Sequence, residues 1–185
     1  MSMPAVAFAG RIGVGKSAIS SLLASKLGWK RTSFGNYIRS VAGERGDEPV
    51  REVLQRIGEE LVANDPEGLC RSVLKTVEWK SGEPIIIDGI RHLRILSILR
   101  ELVQPQPLCF IYLDAQEEIR KERLADRKNG DLASLASIDA HSTERDVQTC
   151  LQVEADFCFA SETLHEHEMV ERMSDMIHAR YMTPT

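Results

Sequence analysis

The sequence predicts an α/β protein, a five-stranded parallel sheet covered by helices on both faces. Two observations carry this. Short apolar runs alternate along the chain with longer segments of helical periodicity, the pattern of parallel strands joined by crossover helices. The composition, with 43% hydrophobic and 28% charged residues in 185, is that of a globular chain long enough to bury one substantial core.

The elements follow in order. The first strand is Ala5 to Ala9, and it runs into Gly10-Arg-Ile-Gly-Val-Gly-Lys-Ser17. A helix opens at the end of that stretch and continues to about Leu27, where Gly28 can terminate it. Trp29 to Ser33 is the second strand. Helices are expected over Asn36 to Ala42, Val50 to Ala63 and Pro66 to Trp79; in the second of these Val50, Leu54, Ile57 and Leu61 recur at helical spacing as a core stripe, with Arg51 and Gln55 on its border. Pro84 to Asp88 is the third strand, Leu93 to Leu102 a helix, Leu108 to Asp114 the fourth strand and Gln116 to Arg127 a helix. Lys128 to His141 has weak periodicity and many small residues, and reads as an irregular excursion. A helix over Ser142 to Val153, a fifth strand from Asp156 to Ala160 and a helix from Thr163 to Tyr181 complete the chain. No internal repeat or low-complexity tract divides it, so residues 1–185 are expected to form one domain.

A net charge of −5 offers no general attraction for nucleic acid or anionic membrane, and neither is an expected partner. Cys70, Cys109, Cys150 and Cys158 are widely spaced without a CxxC pair, and they read as reduced structural thiols, with Cys109 and Cys158 on buried strands. No stretch approaches the ~20 apolar residues of a membrane span, and no signal-peptide pattern opens the chain, so a cytoplasmic location is expected.

Gly10-x4-Gly15-Lys16-Ser17 satisfies the phosphate-loop pattern, and it lies between a predicted strand and a predicted helix, where that pattern works. Glycines let successive backbone N–H groups converge on a phosphate, and the helix N-terminus adds positive potential. Gly10, Arg11, Ile12, Gly13, Val14, Gly15, Lys16, Ser17 and Ala18 are therefore the candidate nucleotide cradle. Lys16 would reach the β- and γ-phosphates of ATP and Ser17 would ligand Mg²⁺. Asp88, closing the isoleucine-rich third strand, would lie near Ser17 and the metal if the two strands are neighbours; a helix-cap or turn aspartate before Gly89 is the alternative.

The succession of GRIGVGKS, SFGNYIR, IIIDGIR and FIYLDAQEEIRKERLADR resembles the P-loop nucleoside monophosphate kinases and their relatives, including the dephospho-coenzyme A kinases, over nearly the whole chain. The resemblance implies a three-layer α/β/α P-loop kinase fold with a lid. It also implies that Arg39 and Arg91 hold the acceptor's phosphate, that helices over about 34–63 bind the acceptor, and that a lid spans about 127–145. Arg123 and Arg127 match the family's lid-side arginines, which contact the donor nucleotide and the transferring phosphoryl group. Ser161 falls in the turn that packs beside the adenine in the dephospho-coenzyme A kinases.

Phosphoryl transfer between two anions needs cations that align them and offset their repulsion, and the planar fork of arginine suits that task. Phe34, Asn36, Tyr37, Arg51 and Gln55 either line the acceptor's remaining surface or belong to solvated helix faces. Arg120 shares a helical face with Arg123 and Arg127, but its acidic neighbours suit a solvated surface position; Arg145 is a further lid-side candidate. His165 and His167, two residues apart on a helix, cannot share a metal and read as solvated. The expected activity is ATP- and Mg²⁺-dependent phosphotransfer to a small phosphorylated, nucleotide-like acceptor, a nucleoside monophosphate first and dephospho-coenzyme A second. The alternative from another class is an ATP-binding regulatory module; a GTPase is disfavoured because the chain has no NKxD or TKxD sequence.

Overall fold

The computed structural model describes residues 3–125, 150–162 and 165–182. Five parallel strands form one sheet in the order β2-β3-β1-β4-β5. They are β1 (Ala5–Gly10), β2 (Lys30–Ser33), β3 (Ile85–Ile90), β4 (Leu108–Asp114) and β5 (Phe157–Ala160). The helices between them are α1 (Lys16–Leu27), α2 (Phe34–Glu44), α3 (Arg51–Asn64), α4 (Pro66–Lys75), α5 (Leu93–Leu102), α6 (Glu117–Ala125) and α7 (Glu166–Ile177), with a π-helical turn at His178–Met182.

The inner strands β1, β3 and β4 bury both faces, and their side chains divide the core by alternation. Ala5, Ala7, Ala9, Ile85, Ile87, Phe110 and Tyr112 pack with Leu69, Val73 and Leu74 of α4 and Ile95, Leu96 and Leu99 of α5. Val6, Phe8, Ile86, Cys109, Ile111 and Leu113 face the opposite way, onto Ile19 and Leu23 of α1 and Met169, Val170, Met173 and Ile177 of α7. This is the three-layer α/β/α arrangement expected from the sequence. β1 is central, and the chain crosses to β3 on one side of it and β4 on the other. The crevice beyond the carboxyl ends of β1, β3 and β4 is where ligands bind in open sheets of this kind.

Several expectations need correction in detail. α4 stops at Lys75 rather than Trp79: Thr76 turns its hydroxyl back to Val73 O at 2.6 Å, Glu78 takes a positive φ of 50°, and the Trp79 indole donates to Glu83 O at 2.7 Å. Val50 caps α3 and is exposed, so the stripe of that helix is centred on Ile57, with Leu54 and Leu61 half-buried. Cys158 is exposed on edge strand β5, although Cys109 on β4 is buried; all four cysteines are free thiols. The helix expected over Ser142 to Val153 and the irregular segment before it lie largely outside the described residues.

Candidate active site

The loop between β1 and α1 leaves the sheet at its centre. Gly10 has a φ of 143°, and a Cβ there would sit 2.1 Å from Leu113 O, so only glycine lets the loop leave this close to β4. Gly13 lies against α6, where a Cβ would approach Arg120 O to 3.1 Å. α1 begins directly after Gly15 with no side-chain cap and no acidic residue in its first turn, which leaves its positive end open to an anion.

Arginines brace the outside of the loop. Arg11 Nη2 donates to Asp114 Oδ1 at 3.2 Å, anchoring the loop to the end of β4. Arg120 Nε donates to Ile12 O at 2.8 Å, and Arg123 Nη1 donates to Val14 O at 3.2 Å. Arg123 also grips Ser161, with Nη1 donating to Oγ at 2.7 Å and Nη2 to the carbonyl at 3.0 Å. These contacts occupy loop carbonyls from one side. Lys16 Nζ donates to Gly10 O and, at 2.7 Å, to Arg11 O, so the lysine folds over the mouth of the loop.

Asp88, two residues before the end of β3, lies beside the phosphate loop. Ser17 Oγ donates to Asp88 Oδ2 at 2.9 Å, and Asp88 is only 2% exposed. A bulge displaces the register of β3 against β1 just beyond Asp88, at Gly89. Asp88 Oδ1 is buried and has no hydrogen-bond partner among the described residues, a costly arrangement for a carboxylate oxygen unless a ligand supplies one. Ser17 and Asp88 thus fit a divalent cation on their own chemistry: two hard oxygen donors at the open end of a phosphate loop, one of them with unused capacity.

The acceptor-side residues cluster less tightly. Ser33 ends β2 opposite Asp88 and caps α2, accepting from Asn36 N at 3.4 Å. Arg39 folds back over this start of α2, donating to Asn36 Oδ1 at 3.3 Å and lying near Gly35. Gly89 abuts Phe34 and Gly35, so Arg91, half-buried just past β3, leaves from the same junction. Gln55 is half-buried on α3. Phe34 departs from expectation: it is 5% exposed and packs in the core, so its ring supports the junction instead of lining an open acceptor surface. Ala18 is exposed beside Ser17. Arg127, Arg145 and the lid over 127–145 lie outside the described residues.

Two residues escaped the sequence reading. Arg120 was expected at the solvated surface, yet it is fully buried; the signal was Leu124, one helical turn on and equally buried, which marks the face that both share. Arg31 on β2 donates to Asp88 Oδ2 at 2.7 Å and to Ser20 Oγ at 2.9 Å. Its signal was weak, a cation within a short strand whose neighbour carries Asp88.

The sheet order, the loop opening α1 and Asp88 near the end of β3 define the P-loop kinase fold. Residues 6–145 match the family described as "AAA domain", and the chain belongs to that family. Among solved structures, the chain is similar to a gluconokinase from Sinorhizobium meliloti 1021, with 15% identity, 96% of this chain and 93% of that one covered and a TM-score of 0.63. It is also similar to the shikimate kinase from Acinetobacter baumannii in complex with shikimate, with 14% identity, 98% and 96% covered and a TM-score of 0.66. The shikimate kinase from Aquifex aeolicus vf5 is 16% identical, with 94% and 96% covered and a TM-score of 0.60. At these identities the likeness is one of fold. No curated protein matches the chain by sequence.

Proposed function

We propose that the protein is an ATP- and Mg²⁺-dependent phosphotransferase acting on a small phosphorylated acceptor, with a nucleoside monophosphate as the first choice. The observation that supports this most is the Ser17–Asp88 pair at 2.9 Å, with the second Asp88 oxygen buried and unpartnered beside the open end of α1. The loop backbone and Lys16 would hold the donor phosphates, Lys16 exchanging its loop carbonyls for phosphate oxygens. Ser17 and Asp88 would hold Mg²⁺, which when bound offsets charge on the β- and γ-phosphates.

The acceptor would approach from the β2–α2 and β3 junction, where Arg39 and Arg91 have the charge to draw its phosphate in line with the donor. Gln55 would contact the remainder of the acceptor. Arg123, tied to both Val14 and Ser161, is suited to hold the donor side of the cleft, with Ser161 beside the adenine. Arg127 and a lid over 127–145 would close the site against water. The partner is a small molecule, with no role for nucleic acid or membrane, in a cytoplasmic setting; no helix among the described residues is long and apolar enough to cross a membrane.

A hydroxyl acceptor, as in a dephospho-coenzyme A kinase-like enzyme, is the second reading. It gains support from similarity to enzymes named for gluconate and shikimate, and in it the unpartnered oxygen of Asp88 could take the hydroxyl proton. A regulatory ATP-binding module would need no second set of cations. Coupled detection of ADP formation across nucleoside monophosphates, dephospho-coenzyme A, gluconate and shikimate tests these readings. Acceptor-dependent ADP release supports the kinase, and the responding acceptor selects between the first two. ATP binding without acceptor-dependent release from any of them would favour the regulatory module.

A further inference from the structure

Arg31 has no part in the scheme above, yet it touches its centre. Its guanidinium spans three elements: Nη2 reaches Asp88 Oδ2 on β3 at 2.7 Å, Nε reaches Ser20 Oγ on α1 at 2.9 Å, and the side chain leaves from β2. The Asp88 side chain is 3% exposed and that of Arg31 20%, so water screens this pair far less than a surface ion pair. Among the described residues, Asp88 Oδ2 therefore accepts from two donors, Ser17 Oγ and Arg31 Nη2, while Oδ1 accepts from none.

Two cations have a claim on this carboxylate. One is resident, the guanidinium; the other is the Mg²⁺ that Ser17 and Asp88 are fitted to hold. Without any cation, a carboxylate this deeply buried would carry an uncompensated charge and would repel the phosphates of a nucleotide in the adjoining loop. With the guanidinium in place, the charge is balanced before a metal arrives, and the two donors fix the carboxylate with Oδ1 unused.

We propose that Arg31 is a positioning residue that serves as a built-in counter-charge for Asp88, holding the Ser17–Asp88 pair in register without metal and reducing the dependence of nucleotide binding on Mg²⁺. The proposal rests on the reading of Ser17 and Asp88 as the metal pair. Removing the guanidinium leaves the carboxylate as a bare negative group, so metal-free ATP binds more weakly and the metal has more charge to compensate. The ratio of ATP dissociation constants in EDTA and in Mg²⁺ should rise.

Isothermal titration of ATP in Mg²⁺ and in EDTA, on wild type, Arg31→Gln and Arg31→Lys, tests this. Arg31→Gln should raise the ratio by roughly tenfold, the scale of one partly buried unit charge a few ångströms away, whereas Arg31→Lys, which keeps the charge, should stay near wild type. Placed on Asp88→Asn, Arg31→Gln should change the ratio no further, because no carboxylate remains to compensate. An unchanged or smaller ratio in Arg31→Gln overturns the proposal, as does a tenfold rise in Arg31→Lys, which serves alone if the glutamine variant does not fold. Wild-type protein that binds no ATP in either condition overturns the phosphate-loop reading together with the proposal. Normal wild-type binding with an unmoved Arg31→Gln ratio overturns the proposal only.

Discussion

Arg123 joins the end of β5 to the phosphate loop through one side chain, its Nη1 shared between Ser161 Oγ at 2.7 Å and Val14 O at 3.2 Å while Nη2 holds Ser161 O at 3.0 Å. Removing it frees both partners at once. Arg123→Ala should weaken ATP binding by about 1.5–3 kcal/mol, the range for hydrogen bonds to a charged group. Ser161→Ala keeps the carbonyl contact and should cost clearly less. Isothermal titration of ATP against the two variants checks this; an unaffected Arg123→Ala would show that the tie does not shape ATP binding, and equal losses would place the whole effect on the Ser161 hydroxyl.

Lys16 Nζ donates to the carbonyls of Gly10 and Arg11 within its own loop. Lys16→Ala should therefore leave the fold intact and reduce turnover by about a hundredfold or more, as loss of one preorganised charge-stabilising donor does elsewhere. Circular dichroism and steady-state rates together decide it. A folded variant with unchanged turnover would remove the lysine from the reaction.

Arg39 folds back over, and Arg91 leaves from, the junction where Gly89 meets Phe34 and Gly35. On the proposed reading, in which they supply uniform binding to the acceptor, Arg39→Ala and Arg91→Ala should raise the acceptor KM far more than the dissociation constant for ATP. Comparable damage to both ligands would contradict separate donor and acceptor sites.

What the sequence made legible was what local geometry dictates. The phosphate loop is read from consecutive residues, because Gly10, Gly15, Lys16 and Ser17 do their work within one turn of chain. Asp88 could be placed because an isoleucine run marks β3, although the strand goes on past Asp88, through the bulge at Gly89, to Ile90. Arg31 could not: its bond to Asp88 spans 57 positions and depends on β2 lying beside β3, a fact of topology rather than of composition. Arg120 was hidden by its own neighbours, since Glu117, Glu118, Lys121 and Glu122 make α6 read as solvated although one narrow face of it seals against the loop. Phe34 is buried for a related reason: at the first position of α2, directly after β2, its ring packs into the core under the junction.

The burial of Arg120 changes what its removal should do. Arg120→Ala deletes a fully buried side chain and its 2.8 Å bond to Ile12 O, so it should destabilise the fold by about 2–4 kcal/mol and loosen the loop with it. Lys121→Ala, which breaks only an exposed pair with Glu117, should leave the urea midpoint where it was. If both variants unfold at the wild-type midpoint, the contact of α6 with the loop carries no stability.

The buried thiols give the protein a pH dependence whose sign can be worked out. Burial, aided by the nearby Glu67 and Asp65 carboxylates, pushes the Cys70 thiol up to about 12, and burial pushes Cys109 to about 12 as well. A thiol in the unfolded chain ionises near 8.5, so in both cases the folded value lies above the unfolded one. The stability these groups contribute is then complete below the unfolded value and is lost as the pH rises toward the folded value, because the unfolded chain sheds protons that the folded chain keeps. Urea midpoints should be flat in this respect up to about pH 8 and should fall between about pH 9 and 12, by as much as ~1.4 kcal/mol per pH unit for each thiol. Cys70→Ala removes one of the two groups, so its stability should fall less steeply over the same window, whatever its stability at pH 7.5. A disulfide reagent should reach exposed Cys158 in the native protein but Cys70 and Cys109 only after unfolding. If wild type and Cys70→Ala decline with the same slope above pH 9, the Cys70 proton is not coupled to folding, and the burial assigned to α4 against the sheet would have to be revised.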